Sequence, residues 1–268
     1  MSLRINTNVG ALNAYNNLNK VSAATEKSLT KLSSGFRINS AADDAAGLAI
    51  SERMRGQIGG LTQATRNISD GISMIQTAEG NLTEVHSMLQ RVRDLAVQYK
   101  NSTVSTSDRT AIQSEVNQLA SEIERIGASS KFNGISLLNT AGNVTFQVGA
   151  EDSQEITVAT ISLGSTLGTS FFSLTAAGTG DISEIDAAIN AVSAQRSTFG
   201  AVQNRLEYAF SAQTSYAENL TAAESRIRDV DMASEMVKFT KNNIISQAAN
   251  SMLAQANQAP QSVLRLLG

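Results

Sequence analysis

The side chains that could carry chemistry are few and far apart. His86 is the only histidine, two residues from Glu84 on a helical stretch, and the chain contains no cysteine. A transition metal would therefore find no second imidazole and no thiolate to share with His86. Asp43-Asp44 sets two carboxylates side by side, a pairing that general acid–base work can use. They stand, however, at the head of an apolar-periodic run, where carboxylates serve the free N–H groups of a helix start. Gly56-Gln57-Ile58-Gly59-Gly60 lacks the P-loop lysine pattern and a preceding strand, so it does not read as a phosphate cradle. The methionines sit at stripe positions and read as packing. A hydrolase built on Asp43 or Glu115 finds no support, and no cofactor or metal is expected. The remaining chemistry is association.

Two long apolar heptad stripes dominate the chain. One passes through Leu61, Ile68, Ile75, Leu82, Leu89 and Ala96; the other through Ile185, Val192, Phe199, Leu206, Gln213, Leu220 and Ile227. A seven-residue period lays one narrow seam along a helix, and that seam needs a partner helix. Each stripe is the other's natural partner, so the chain should run out, turn and return as a rod with both ends at one tip. Helices are expected at about 44–99, 107–128 and 183–227. The third, shortest stripe is Ile112, Val116, Leu119, Ile123 and Ile126. Ser107 is an N-cap candidate for that short helix, Ser40 or Asp43 for the long one, and Asp181 or Ser183 for the return helix. At 1.5 Å per residue the first helix would span roughly 80 Å. Between about 132 and 163 the period changes to 2: Val144, Phe146 and Val148, then Ile156 and Val158, predict a β-hairpin. Residues 164–182, rich in Gly, Ser, Thr and Ala, read as a loop. The fold class expected is mainly α: a long antiparallel coiled-coil rod with a small hairpin.

The ends read differently. Residues 6–32 carry Val9, Leu12, Leu18, Val21, Leu29 and Leu32 among many asparagines, which compete with the helix backbone for hydrogen bonds. Residues 236–259 place Ile244, Ile245, Ala248, Ala249, Met252 and Ala256 among Asn and Gln. Both should be helices that form only beside a neighbour. The charge follows the same division. Residues 1–42 hold five basic side chains against one acidic, 228–268 four against three, and 43–227 twelve against twenty. The basic residues are spread singly without interleaved aromatics, which argues against nucleic acid. The ends carry too few Lys and Arg to read as membrane-surface helices. No apolar run of about 20 residues exists, so no membrane insertion is expected. The start, Met1-Ser2-Leu3-Arg4-Ile5-Asn6, lacks the apolar region of a secretory signal. Pro260 is the single proline, as long unbroken helices require.

The run Ser33-Ser34-Gly35-Phe36-Arg37-Ile38-Asn39-Ser40-Ala41, continuing through Asp43-Asp44-Ala45-Ala46-Gly47-Leu48-Ala49-Ile50, resembles the N-terminal signature of bacterial flagellins. So do the opening Ile5-Asn6-Thr7-Asn8 and the closing Asn250-Ser251-Met252-Leu253-Ala254-Gln255-Ala256-Asn257-Gln258. The resemblance covers roughly 1–140 and 185–268.

It implies a subunit that polymerises into the flagellar filament. Residues 1–43 and 228–268 would form a terminal coiled-coil domain lining the filament core, and 44–227 a rod domain. Ile5, Val9, Leu12, Leu18, Ile244, Ile245, Met252 and Leu253 would drive polymerisation. Gly35, Arg37, Asn39, Asp43 and Asp44 would form the hinge between domains. The short 164–182 loop stands where family members often carry outer domains, so a thin, smooth filament is expected. Implied partners are further copies of the chain, the flagellar secretion apparatus, an export chaperone at the C-terminal segment, and the filament cap and hook–filament junction proteins. The implied location is the extracellular flagellum, reached without a cleaved signal peptide. Gln90, Arg91, Leu95 and Glu115 resemble the surface recognised by Toll-like receptor 5, with Asp94 one methylene shorter than the usual Glu. A hook–filament junction protein, which shares the terminal pattern, is the alternative.

Overall fold

The computed structural model describes residues 8–164, 174 and 181–267, with side chains through residue 258. The expected loop at 164–182 lies largely outside the described residues, as does Ile5. Among the described residues five long helices carry the fold: α1 (Val9–Ser34), α2 (Ala45–Tyr99), α3 (Thr106–Ser129), α4 (Asp181–Arg228) and α5 (Met232–Leu267). Between α3 and α4 lie four strands: β1 (Lys131–Phe132), β2 (Ile135–Ser136), β3 (Gly142–Gln147) and β4 (Glu155–Thr160). The chain forms two compact units, one of residues 1–56 with 219–268 and one of residues 57–218.

Within the unit of residues 57–218, the heptad stripes are the core. Leu61, Ile68, Ile75, Leu82, Leu89 and Ala96 are all buried without exposed surface. From α4, Ile185, Val192, Phe199 and Leu206 meet them, and Ile112, Val116 and Ile123 of α3 join the same cluster. Each such side chain contributes about 1.5–3 kcal/mol of transfer free energy before the entropy of ordering it. Cross-links along the pair fix its sense. Arg93 meets Asp186 at 2.6 Å, Arg196 meets Glu79 at 3.7 Å, and Gly71 backs onto Leu206. Residue numbers rise on α2 as they fall on α4, so the helices are antiparallel.

Strands β3 and β4 form the expected hairpin, with Val144 opposite Val158 and Phe146 opposite Ile156. Its burial alternates along β4, where Ile156, Val158 and Thr160 face inward. A second, smaller ribbon pairs Phe132 with Ile135 across Asn133-Gly134. Both turn residues have positive φ, 48° and 82°, the geometry for which Asn-Gly is the favoured hairpin sequence. That dipeptide was the available signal for this ribbon.

Two helix starts differ from the caps expected, and a third had no cap assigned. Ser105, not Ser107, caps α3: its hydroxyl accepts from Asp108 N–H while the Asp108 carboxylate accepts from Ser105 N–H. This reciprocal box satisfies two otherwise free donors. Asp44, rather than Ser40 or Asp43, caps α2 by accepting from Gly47 N–H at 2.9 Å. A Cβ on Gly47 would stand 2.5 Å from that carboxylate and 2.7 Å from Ile38, which explains the glycine there. Asp231 caps α5 by accepting from the N–H groups of Ala233 and Ser234.

Candidate functional site

In the unit of residues 1–56 and 219–268, α1 lies along α5. The residues of α1 that lose most solvent contact are Ala11, Ala14, Leu18, Val21, Thr25, Ser28 and Leu32, a 3-4 alternation. On α5 they are Glu235, Phe239, Asn242, Ser246, Ala249, Leu253 and Ala256, again a strict heptad seam. Only Ser28 and Glu235 of these are fully buried. Asn8 closes the far end, its amide donating to the Ala256 carbonyl at 2.7 Å. The seam is thus built largely from small and polar residues.

That choice divides the apolar stripe of α5 between two faces. Ala249 and Ala256 of the expected stripe lie in the seam, but Ile244, Ile245 and Met252 do not. They are exposed by 62%, 38% and 66%, with Val237 at 69%. Met236, Val237, Thr240, Lys241, Ile244 and Ile245 line an open apolar groove of about 550 Å³ on the outward face. On α1, Val9, Leu12, Tyr15 and Leu29 are also exposed, each by half or more. Leu18 and Leu253 are half-buried in the seam. The heptad positions that face the partner helix are mostly small or polar, so several of the larger apolar side chains fall on the outward face. A row of exposed large apolar side chains of this kind marks a surface made for another chain.

The loops at the foot of the pair interlock. Gly35 ends α1 with φ 76°, the left-handed conformation glycine adopts without strain. Its carbonyl accepts from Val230 N–H at 3.0 Å, while Arg37 N–H donates to the Arg228 carbonyl at 2.6 Å. The Arg37 guanidinium also donates to the Ile227 carbonyl. Arg228 holds the clasp from the other side: it pairs with Glu52 at 2.7 Å and stacks over the Phe36 ring at 4.8 Å. The Arg228 hydrogen bond holds the Glu52 carboxyl below its ordinary range. Asp43 orders the loop by accepting from the N–H groups of Asn39 and Ser40, bonds that lower its own pKa. Gly35, Arg37, Asn39, Asp43 and Asp44 are therefore all engaged here. Sequence reasoning missed Arg228, Phe36 and Glu52, whose partners are remote in the chain and follow no periodic pattern.

The second group of expected residues lies in the other unit. Arg91 of α2 pairs with Glu115 of α3 at 2.8 Å, both about half exposed. Gln90 sits beside them on the surface, its amide nitrogen 3.0 Å from His86 Nε2. Leu95, expected at the same surface, is 2% exposed and faces the core instead. No cluster of three metal-ligating side chains occurs among the described residues. No helix of those residues is long and apolar enough to cross a membrane.

Comparison with known proteins bears on this arrangement. Residues 5–143 match the model of the bacterial flagellin N-terminal helical region, and residues 182–267 that of the C-terminal helical region. The chain is 48% identical to the flagellin of Bacillus subtilis (strain 168) over an alignment of 303 residues in length, covering 99% of this chain and 100% of that protein. It is 51% identical to the flagellin of Halalkalibacterium halodurans over 276 residues, covering 98% and 99%. The crystal structure of Bacillus cereus flagellin matches with a TM-score of 0.51 at 32% identity, covering 59% of this chain and 94% of that one.

Proposed function

This chain belongs to the bacterial flagellin family, and from that premise we propose that α1 and α5 are its polymerisation device. As a flagellin it is a structural subunit that assembles with its own copies into the flagellar filament, an extracellular appendage. The observation that carries the assignment of the device is the outward row of α1 and α5: Val9, Leu12, Ile244, Ile245 and Met252 point away from the seam. Neighbouring subunits would cover them, each contributing about 1.5–3 kcal/mol when fully removed from water. Leu18 and Leu253 serve the device from within the seam, where they hold α1 against α5, and Ile5, outside the described residues, is assigned to it by the family resemblance alone. Residues 1–43 and 228–268 act as the terminal domain and 44–227 as the rod. The clasp of Gly35, Arg37, Asn39, Asp43 and Asp44, which lies within the compact unit of residues 1–56 and 219–268, serves in this proposal as the hinge. We assign the chain no catalytic task.

The same exposed face of α5 suits the export chaperone, which would keep it covered before assembly. Passage through the flagellar secretion apparatus without a cleaved signal, and contact with the filament cap and junction proteins, belong to the same proposal. The end-to-end identity to filament flagellins disfavours the junction-protein alternative. Sedimentation and electron microscopy of the full chain, beside one lacking 1–42 and 228–268, test the device. Filaments from the first and helical monomers from the second are expected. Filaments from the trimmed chain would place polymerisation elsewhere.

Receptor recognition rests on Arg91 and Glu115, a charged pair on one surface with Gln90 adjacent, and on Leu95 as support from beneath. An Arg of this kind is a common interface anchor. Replacing Arg91 with Ala should weaken activation of Toll-like receptor 5 by soluble monomer while leaving its helicity intact. Undiminished activation would remove this surface from the account.

A further inference from the structure

Tyr208 of α4 is 79% exposed, in a chain whose aromatic content is only 4%. Around it the exposed face of α4 is small and polar: Asn204, Ser211, Ala212 and Ser215, with Arg205 one turn before. The ring therefore stands as a knob on an otherwise low face. Among the described residues no hydrogen bond, ion pair or ring contact engages it.

The same level of the unit carries a groove. Gln63, Thr65, Arg66, Ser69, Asp70 and Phe210 enclose about 550 Å³, with the half-exposed Phe210 ring as its one large apolar surface. Asp70 offers a carboxylate to a phenol O–H or a cation, and Arg66 is turned to Gln63 at 2.7 Å. The groove thus supplies what a tyrosine tip requires: an aromatic wall and a strong acceptor.

Tyr208 and Phe210 are two residues apart, which on an α-helix is about 200° of rotation. Knob and groove consequently lie on nearly opposite faces and cannot meet reciprocally in a two-fold dimer. They are suited to a heterologous contact, in which each copy offers its knob to the next copy's groove, the kind of interface that builds open helical polymers. We propose that Tyr208 of one subunit seats against Phe210 and Asp70 in the Gln63–Asp70 groove of its neighbour, with Arg205 beside Asp70. This lateral contact rests on the filament-subunit reading and adds to it a specific interface outside the terminal helices.

The absence of cysteine makes the test clean. Two chains, Tyr208→Cys and Ser69→Cys, are copolymerised with an excess of the unsubstituted chain and oxidised, after filaments are confirmed by electron microscopy. The contact requires a disulfide-linked dimer that contains one of each chain, and no dimer from either variant alone. Filaments without the mixed dimer overturn the contact and leave the polymer reading standing. A dimer from Tyr208→Cys alone means a face-to-face arrangement and also overturns it. If the unsubstituted chain itself forms no filament, both readings fall together. Independently, Tyr208→Ala should raise the critical concentration for seeded growth on the order of tenfold, with Tyr208→Phe between the two. An unchanged critical concentration for Tyr208→Ala would overturn the proposal as well.

Discussion

Ser28 and Glu235 are the two fully buried members of the α1–α5 seam, and both are polar. The Ser28 hydroxyl donates to Glu235 Oε1 at 2.7 Å, and Lys238 pairs with the other carboxylate oxygen at 3.0 Å. The serine hydrogen bond, then the charges of Lys238 and Lys31, hold the Glu235 carboxyl below its ordinary range. A carboxylate whose pKa is lower in the folded chain stabilises above its unfolded value, and that contribution is lost as pH falls through the folded value. The α1–α5 pair should therefore loosen in acid. Helical melting of the full chain, followed by circular dichroism at neutral pH and at about pH 3, should record this as a loss of the terminal helicity. Glu235→Gln should flatten that acid dependence, and Ser28→Ala should cost about 1–2 kcal/mol at neutral pH. If Glu235→Gln melts with the acid dependence of the original chain, the carboxylate is not the sensor. Neither residue was legible as a contact in the sequence. A serine and a glutamate follow no apolar period, and only the packed pair reveals that they face each other across 207 positions of chain.

At the scale of elements, the long stripes were legible because burial and heptad period coincide. Every stripe residue from Leu61 to Ala96 is in the core, and so is each from Ile185 to Leu206. Past Leu206 the second stripe loosens, and Gln213, Leu220 and Ile227 are only half-buried. Where period and burial part company, the period alone does not say which face a helix turns to its own chain. On α5 the large apolar Ile244, Ile245 and Met252 recur at helical spacing yet face away from α1, and smaller and polar residues make most of the seam. Caps were misplaced by one or two residues for a related reason: Ser105 and Ser107 are equally good oxygen acceptors, and only the Asp108 three residues on completes a box with Ser105. The distinction is measurable. Ser105→Ala should lower the stability of the rod unit by about 1 kcal/mol, read from its urea midpoint, while Ser107→Ala should be nearly neutral. Equal losses for the two would mean that the reciprocal box contributes nothing beyond a generic serine at a helix start.

At the scale of the molecule, the two units differ in how much they bury. Residues 57–218 hold nearly all of the continuous apolar cluster, whereas residues 1–56 with 219–268 fully bury Ile38 and a few small or polar groups such as Ser51. Transfer free energy scales with apolar area, and ordering entropy scales with residues fixed. The terminal unit orders long helices for little buried area, so it sits near the balance point as a monomer, and the rod unit sits well above it. Calorimetry of the soluble monomer should accordingly give two transitions, the lower one absent from the chain lacking 1–42 and 228–268. In the filament the lower transition should move upward, because the exposed Val237, Ile244 and Met252 become covered and binding to the folded form shifts its apparent stability by mass action. The upper transition should move less, since its core is already closed. A monomer that melts in one step at the temperature of the trimmed chain would mean that the terminal pair draws its stability from its own seam. The outward apolar row could not then be what makes assembly and ordering one event.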